Sequence, residues 1–187
     1  MKKYKAIIKI MVVPAIVGTT LFFSSCKRDT SLIDNFTNLK QTPGVTAYNS
    51  EVDYTENGIL KIKVSSPRTV YYQFAEEPYT EFPDGIAVFT YSDSLTVETT
   101  LTAKYAIYNE KTMIWHAKNN IVAKNRKGEV LYTEELFWDQ KKHIIYTDAN
   151  VKINSVNGLV YGRKGLISDE TFDHWEVKEP YNGEISL

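Results

Sequence analysis

The chain has 187 residues, with 22 Lys and Arg against 23 Asp and Glu and a formal net charge of −1. That length corresponds to about one domain. A composition that is 43% hydrophobic, 13% aromatic and 24% charged is that of a globular protein with a packed core. The charge balance argues against nucleic acid, because phosphate binding needs clustered Lys and Arg, and one cysteine excludes an internal disulfide.

The first element is the amino terminus. Met1-Lys2-Lys3-Tyr4-Lys5 precedes an apolar run from Ala6 to Phe23, followed by Ser24-Ser25-Cys26. A basic start, a short apolar stretch and small residues before a break mark a secretory signal peptide over residues 1–25. An apolar residue, two small residues and Cys resembles the lipobox of bacterial lipoproteins. The resemblance implies a diacylglyceryl group on the Cys26 thiol, cleavage before it and acylation of the new amino terminus. The alternative is an uncleaved membrane anchor, but Lys9 leaves fewer than the ~18 consecutive apolar residues that a spanning helix needs. Cleavage removes four lysines and no acid, leaving 162 residues with 18 basic and 23 acidic side chains, a net of −5. Charge alone would not hold such a chain on an anionic membrane; two or more acyl chains would.

Residues 26–43 form the lipidated terminus and a polar tether ending at Pro43-Gly44. A flexible chain of that length spans on the order of 20 Å. The spacing of Leu32, Ile33, Phe36 and Leu39 also allows a short amphipathic turn on the membrane surface.

Residues 44–187 read as one all-β domain. Ile59 to Val64 alternates, with Leu60, Ile62 and Val64 on one face and Lys61 and Lys63 on the other. Thr69 to Phe74 and Ile86 to Tyr91 are further strands, and Glu76 to Gly85, with Pro78 and Pro83, is a loop or sheet-edge crossing. The later part repeats at a shift of 30 residues: Leu101 meets Leu131, Tyr108 meets Trp138, Asn109 meets Asp139, Asn120 meets Asn150 and Gly128 meets Gly158. A third copy places Asp169 on Asp139 and then degrades. Each unit is strand, turn, strand, turn, and such units must stack to bury an apolar face.

The blocks Ala103 to Tyr108, Leu131 to Asp139, Ile145 to Ile153 and Gly158 to Gly162 resemble the LptC family, the periplasmic component of the lipopolysaccharide export machine, over residues 45–180. The resemblance implies an open, twisted β-jelly roll whose apolar interior holds the acyl chains of lipid A. It implies partners: the inner-membrane ABC transporter that supplies lipopolysaccharide and an LptA-like bridge that receives it. It places the chain on the periplasmic side of the envelope of a Gram-negative bacterium, anchored to the inner membrane. The better-known members are held by a transmembrane helix rather than a lipidated cysteine.

Period-2 alternation puts Leu60, Ile62, Val64, Ala106, Tyr108, Ile121, Ala123, Leu136, Trp138, Val151 and Ile153 on inward faces, the candidate lipid-binding residues. Small residues at Ala103, Ala106 and Ala123 leave width between the faces. A closed sandwich filled by its own side chains would alternate identically, so a structural envelope lipoprotein that binds protein partners and no lipid is the second reading. The candidate partner edge comprises Val160, Gly162, Trp175 and Val177, because the repeat fades there. The strands near Val52 to Val64 are expected to face the transporter.

No enzyme is expected, for the chain has no GxSxG, P-loop or Ser-x-x-Lys. His116, His143 and His174 lack metal-ligand spacing, so no metal and no cofactor is expected. Asp139 and Asp169 fall at turn starts, where the side chain caps the turn. Lys118, Lys124, Arg126, Lys127, Lys141 and Lys142 are solvated turn charges or a rim for lipid phosphates.

Overall fold

The computed structural model describes residues 42–185. The signal peptide, Cys26 and all but the end of the tether lie outside them. Among the described residues no helix is long and apolar enough to cross a membrane.

The domain is all-β, as the alternation requires. Its strands are β1 (Val45–Glu56), β2 (Ile59–Tyr72), β3 (Tyr79–Phe82), β4 (Ile86–Tyr91), β5 (Val97–Ala103), β6 (Tyr105–Asn109) and β7 (Ile114–Asn125). There follow β8 (Val130–Asp139), β9 (Ile144–Thr147), β10 (Val151–Ser155), β11 (Gly158–Gly162), β12 (Leu166–Asp169), β13 (Trp175–Val177) and β14 (Pro180–Ile185). All are antiparallel and all belong to one continuous sheet.

The pairings describe a meander folded in half. β2 pairs with β4 through Ile62–Ser65 and with β3 through Val70–Tyr72. β7 meets β6 along its first half and β5 along its second. β8 meets β10 along its first half and β9 along its second. The shorter strands act as interrupted long ones: β3 with β4, β5 with β6, β9 with β10, β11 with β12, β13 with β14. One layer therefore reads β1–β2–β4–β5–β7–β8–β10–β11–β14, and the other β1–β2–β3–β6–β7–β8–β9–β12–β13. Both keep chain order, as expected of a jelly roll built from stacked strand pairs.

The bends align into a crease, and the local sequence supplies residues that do not continue a ladder there. Pro67 sits at the bend of β2, and Pro83-Asp84-Gly85 separates β3 from β4. Asn119 and Asn120 bend β7 with φ of 64° and 49°, in the left-handed region that Asn tolerates. Backbone and side-chain bonds hold the crease. The Lys104 amide donates to the Asn119 carbonyl at 3.0 Å, and the Ser66 hydroxyl donates to the Gly85 carbonyl at 2.8 Å. The Lys178 amide donates to the Gly165 carbonyl at 2.8 Å. Lys104, Glu134 and Lys164 fall at successive bends, as do Asn119, Ala149 and Glu179. The 30-residue repeat is therefore one strand path out and the next path back.

Two sequence expectations change. Glu76 to Gly85 is not wholly loop: Tyr79–Phe82 forms β3, recruited by Val70–Tyr72 on one side and Ala106–Asn109 on the other. The segments 59–64 and 69–74 are not separate strands, because β2 runs through Pro67 to Tyr72. The bend there falls between the stretches paired to β4 and β3, so the missing proline N–H breaks no ladder bond.

Candidate functional site

The two layers face one another across a single apolar core. Cross-strand partners point to the same side of a sheet, so the register defines each inner wall. In the first layer one inner row is Val52, Val64, Val88, Leu101, Ala123, Leu131, Ile153 and Val160. In the second, a row near the crease carries Phe82, Ala106, Ala117 and Leu136, and one nearer the mouth carries Tyr108, Trp115, Trp138, Ile145 and Ser168. Trp115 stacks between Tyr108 and Trp138, with ring centres 4.5 and 6.2 Å away.

The structure gathers the candidate groove residues on these walls. Ala106, Ile121, Ala123, Leu136, Val151 and Ile153 belong to the buried core, and Ile62, Val64, Tyr108 and Trp138 pack against it. Leu60 is half-buried, but a register shift at Lys61 pairs it with Thr55, the neighbour of inward-facing Tyr54, so it leaves the row that holds Ile62 and Val64. Of the candidate edge residues, Trp175 and Val177 lie on β13, which pairs only with β12. Val160 and Gly162 lie on β11, which β14 covers, so the C-terminal edge is one strand beyond them.

Burial along the inner walls is graded. At the N-terminal edge the inward-facing Val52 and Tyr54 are 57% and 59% exposed, whereas Leu131 and Ile153 are 0% exposed. Inward-facing side chains are thus exposed at β1 and fully covered around β8 and β10.

The cover includes a feature missing from the sequence reading. The three equivalent turns between layer-two strands begin at Asn109, Asp139 and Asp169, and each starting side chain caps its turn. The Thr112 amide donates to Asn109 Oδ1 at 2.9 Å and the Lys142 amide to Asp139 Oδ1 at 3.1 Å. In the third turn the donor is one residue later, the Asp173 amide to Asp169 Oδ1 at 2.9 Å. The left-handed residue also shifts, from Met113 and His143 to Phe172. The third turn thus crosses the mouth instead of standing clear of it. Phe172 is 1% exposed and stacks on Trp175. The opposite lip holds this strap. Thr99 Oγ1 donates to the Thr171 carbonyl at 2.9 Å, and Asn125 Nδ2 donates to the Phe172 carbonyl at 2.8 Å. Asp173 pairs with Arg126 at 2.9 Å and Lys127 at 3.5 Å, and Trp175 Nε1 donates to buried Glu129 at 3.1 Å. One signal was available: the repeat places Phe172 where the other copies carry Thr112 and Lys142.

The electrostatics are those of caps and ties. Lys142, hydrogen-bonded to Asp139, holds that carboxyl below the usual range, helped by backbone amides. Burial pushes Asp169 upward, but bonds from His174, the Asp173 amide and Thr171 outweigh it and leave it lowered. Burial and the hydrogen bond to Glu81 push the Tyr105 phenol well above its ordinary value. His116, His143 and His174 each meet one carboxylate, Glu135, Glu170 and Asp169, at 2.7, 2.9 and 2.7 Å. No group of three or more metal-ligating side chains assembles among the described residues. Of the candidate rim cations, Arg126 and Lys127 tie the strap and Lys142 pairs with its own turn's Asp139. A shallow cavity of about 630 Å³ lies beside the strap, against His143, Asp169, His174 and Trp175.

The described residues thus form two apolar inner walls that meet at a crease, with inward side chains exposed at the β1 end. No curated protein matches the chain. The model of the family described as lipopolysaccharide-assembly, LptC-related matches residues 12–170, ending just before Phe172. A match over that share of the sequence, with the folded meander and its apolar walls, makes the chain a member of the LptC family, which acts in lipopolysaccharide transport in the Gram-negative envelope.

Proposed function

We propose that this protein is a non-enzymatic carrier that holds lipopolysaccharide by its acyl chains between the two layers. It receives the lipid from the inner-membrane ABC transporter and passes it to an LptA-like periplasmic bridge, while acyl groups on Cys26 keep it at the membrane. The observation that carries this reading is the graded burial of the inner walls. Apolar side chains such as Val52 and Tyr54 point into the space between the layers yet stand exposed at the β1 end. Ligand sites are concave and mainly apolar, and an exposed inward-facing apolar wall is a place for acyl chains to begin docking. The free edges fit the two partners. β1 presents an outer strand of 12 residues at one end, and β13 and β14 end the meander at the other. Exposed edges recruit further strands by backbone hydrogen bonding.

A second reading, a closed sandwich that binds protein partners and no lipid, is favoured by the tight filling around Leu131, Ile153 and Leu166. One experiment separates the two. A photo-crosslinking residue at Leu136 or Ile153, on the inner walls, is expected to capture lipopolysaccharide in cells. One at the exposed, outward Lys152 is expected to capture none. Absence of lipid at both inner positions in a folded, properly exported protein refutes the carrier and leaves the closed sandwich.

A further inference from the structure

We infer that the strap Glu170–His174 is a gate on the groove, and that Phe172 occupies the seat of an acyl chain at the C-terminal end. This rests on the carrier reading and adds to it how the groove is closed and what opens it.

Three observations carry the inference. First, the strap departs from its own repeat. The turns at Asn109 and Asp139 are capped by the third residue on and carry their left-handed residue just before the next strand. The third turn shifts both features by one residue and turns Phe172 into the core, with φ of 57°. Met113 and His143 are left-handed as well, so what sets the third turn apart is its shifted cap and inward ring, held by bonds from the opposite lip.

Second, the ties are hydratable. The links from the strap to the opposite lip are hydrogen bonds and ion pairs. Thr99 and Asn125 hold the Thr171 and Phe172 carbonyls, Arg126 and Lys127 hold Asp173, and Lys127 also donates to the Asp173 carbonyl at 2.8 Å. When the strap lifts, each of these groups can find water, so little is lost beyond the small net value of each bond. The crease, by contrast, is continuous chain. The mouth is therefore the side at which the two layers can part.

Third, the remaining cost of opening is specific. Lifting the strap exposes the buried Phe172 ring and empties the apolar place it filled against Trp175. Water does not compensate that loss; an apolar chain lying along the inner wall does. The gate is thus coupled to ligand chemistry. An acyl chain lying along the inner wall displaces Phe172, and without one the ring returns. The family match stops at residue 170, so the strap residues that make the device lie beyond it.

The test uses the full chain and a fluorescent 18-carbon polyunsaturated fatty acid, cis-parinaric acid, as probe. Binding is titrated in the wild type, in Asp173→Ala, which removes the carboxylate ties to Arg126 and Lys127 and leaves Phe172, and in Phe172→Ala, which empties the seat. Circular dichroism checks that each is folded, and Asp173→Ala serves if Phe172→Ala is not. Hydrogen–deuterium exchange of the 170–175 segment is followed with and without probe. The expected result is that Asp173→Ala binds about tenfold tighter, the gain when a competent state rises from about a tenth of the population to nearly all of it. Exchange in the strap should rise when the wild type takes up probe. If the wild type binds probe but strap exchange is unchanged, or if folded Asp173→Ala binds no more tightly, the gate is overturned and the carrier stands. If no variant binds either the probe or purified lipopolysaccharide, the carrier reading fails and the gate with it.

Discussion

Gly165 joins β11 to β12 at the crease, and replacing it with alanine tests whether the crease is as tight as its geometry states. Its φ is +82°, and a Cβ built there would lie 1.8 Å from the Thr147 carbonyl oxygen, 2.5 Å from its carbon and 2.8 Å from the Asp148 Cα. Non-bonded carbons rest at about 3.5–4.0 Å, and all three neighbours are backbone, so a layer must move. Gly128 is the control, with φ of +84° and nothing within 4 Å of its built Cβ. An L residue in that region costs about 1–2 kcal/mol at either site, and the smaller chain entropy of unfolded alanine offsets both alike. The forced shift at Gly165 adds about 1–3 kcal/mol. For a domain of this size 1 kcal/mol moves Tm by about 2–4 °C. Gly128→Ala is therefore expected to lower Tm by about 2–8 °C and Gly165→Ala by about 4–20 °C. Thermal unfolding followed by circular dichroism reads both. Equal losses at the two sites would show that the crease has slack, and that the contact between the 162–165 bend and Thr147 does not hold the layers.

Two other perturbations act elsewhere. Asp139 has its folded pKa depressed, so its contribution to stability is present above the unfolded value of about 4 and is lost as pH falls through the folded value. The Tm gap between wild type and Asp139→Asn should accordingly be widest near neutrality and shrink below about pH 4; a gap independent of pH counts against the Lys142 tie. At the amino terminus, Cys26→Ala should abolish lipidation, read by acyl labelling and mass spectrometry of the mature chain, and an unmodified Cys26 in the wild type removes the anchor from the proposal.

Much of the domain was legible because strand sequences carry their own face. Alternation at Ala106–Tyr108 and Leu136–Trp138 is local, and so is the turn chemistry of Asn109 and Asp139, so class, repeat and inner walls could be read directly. Other features depended on distant partners. Tyr79–Phe82 looked like loop between two prolines, and only the ladders on both sides make it β3. The crease was hidden because alternation states which face is apolar and not that a strand will fold that face onto itself. The strap was hidden for the same reason: its ties to Thr99 and Asn125 span 72 and 47 residues.

Chain-order pairing also sets how the domain can form. In both layers each strand path lies beside the path just before it, so no strand has to wait for a remote partner before it pairs. Contacts between sequence neighbours close small loops and favour fast folding, and a chain made from its amino end can lengthen the meander one path at a time. The exposed edge then moves along with the growing sheet. The ties from Thr171–Asp173 to Thr99 and the 125–127 turn join a late part of the chain to much earlier strands, and depart from that order. Those to Thr99 and Asn125 close loops of 72 and 47 residues, and there the meander must reach back past its neighbouring path.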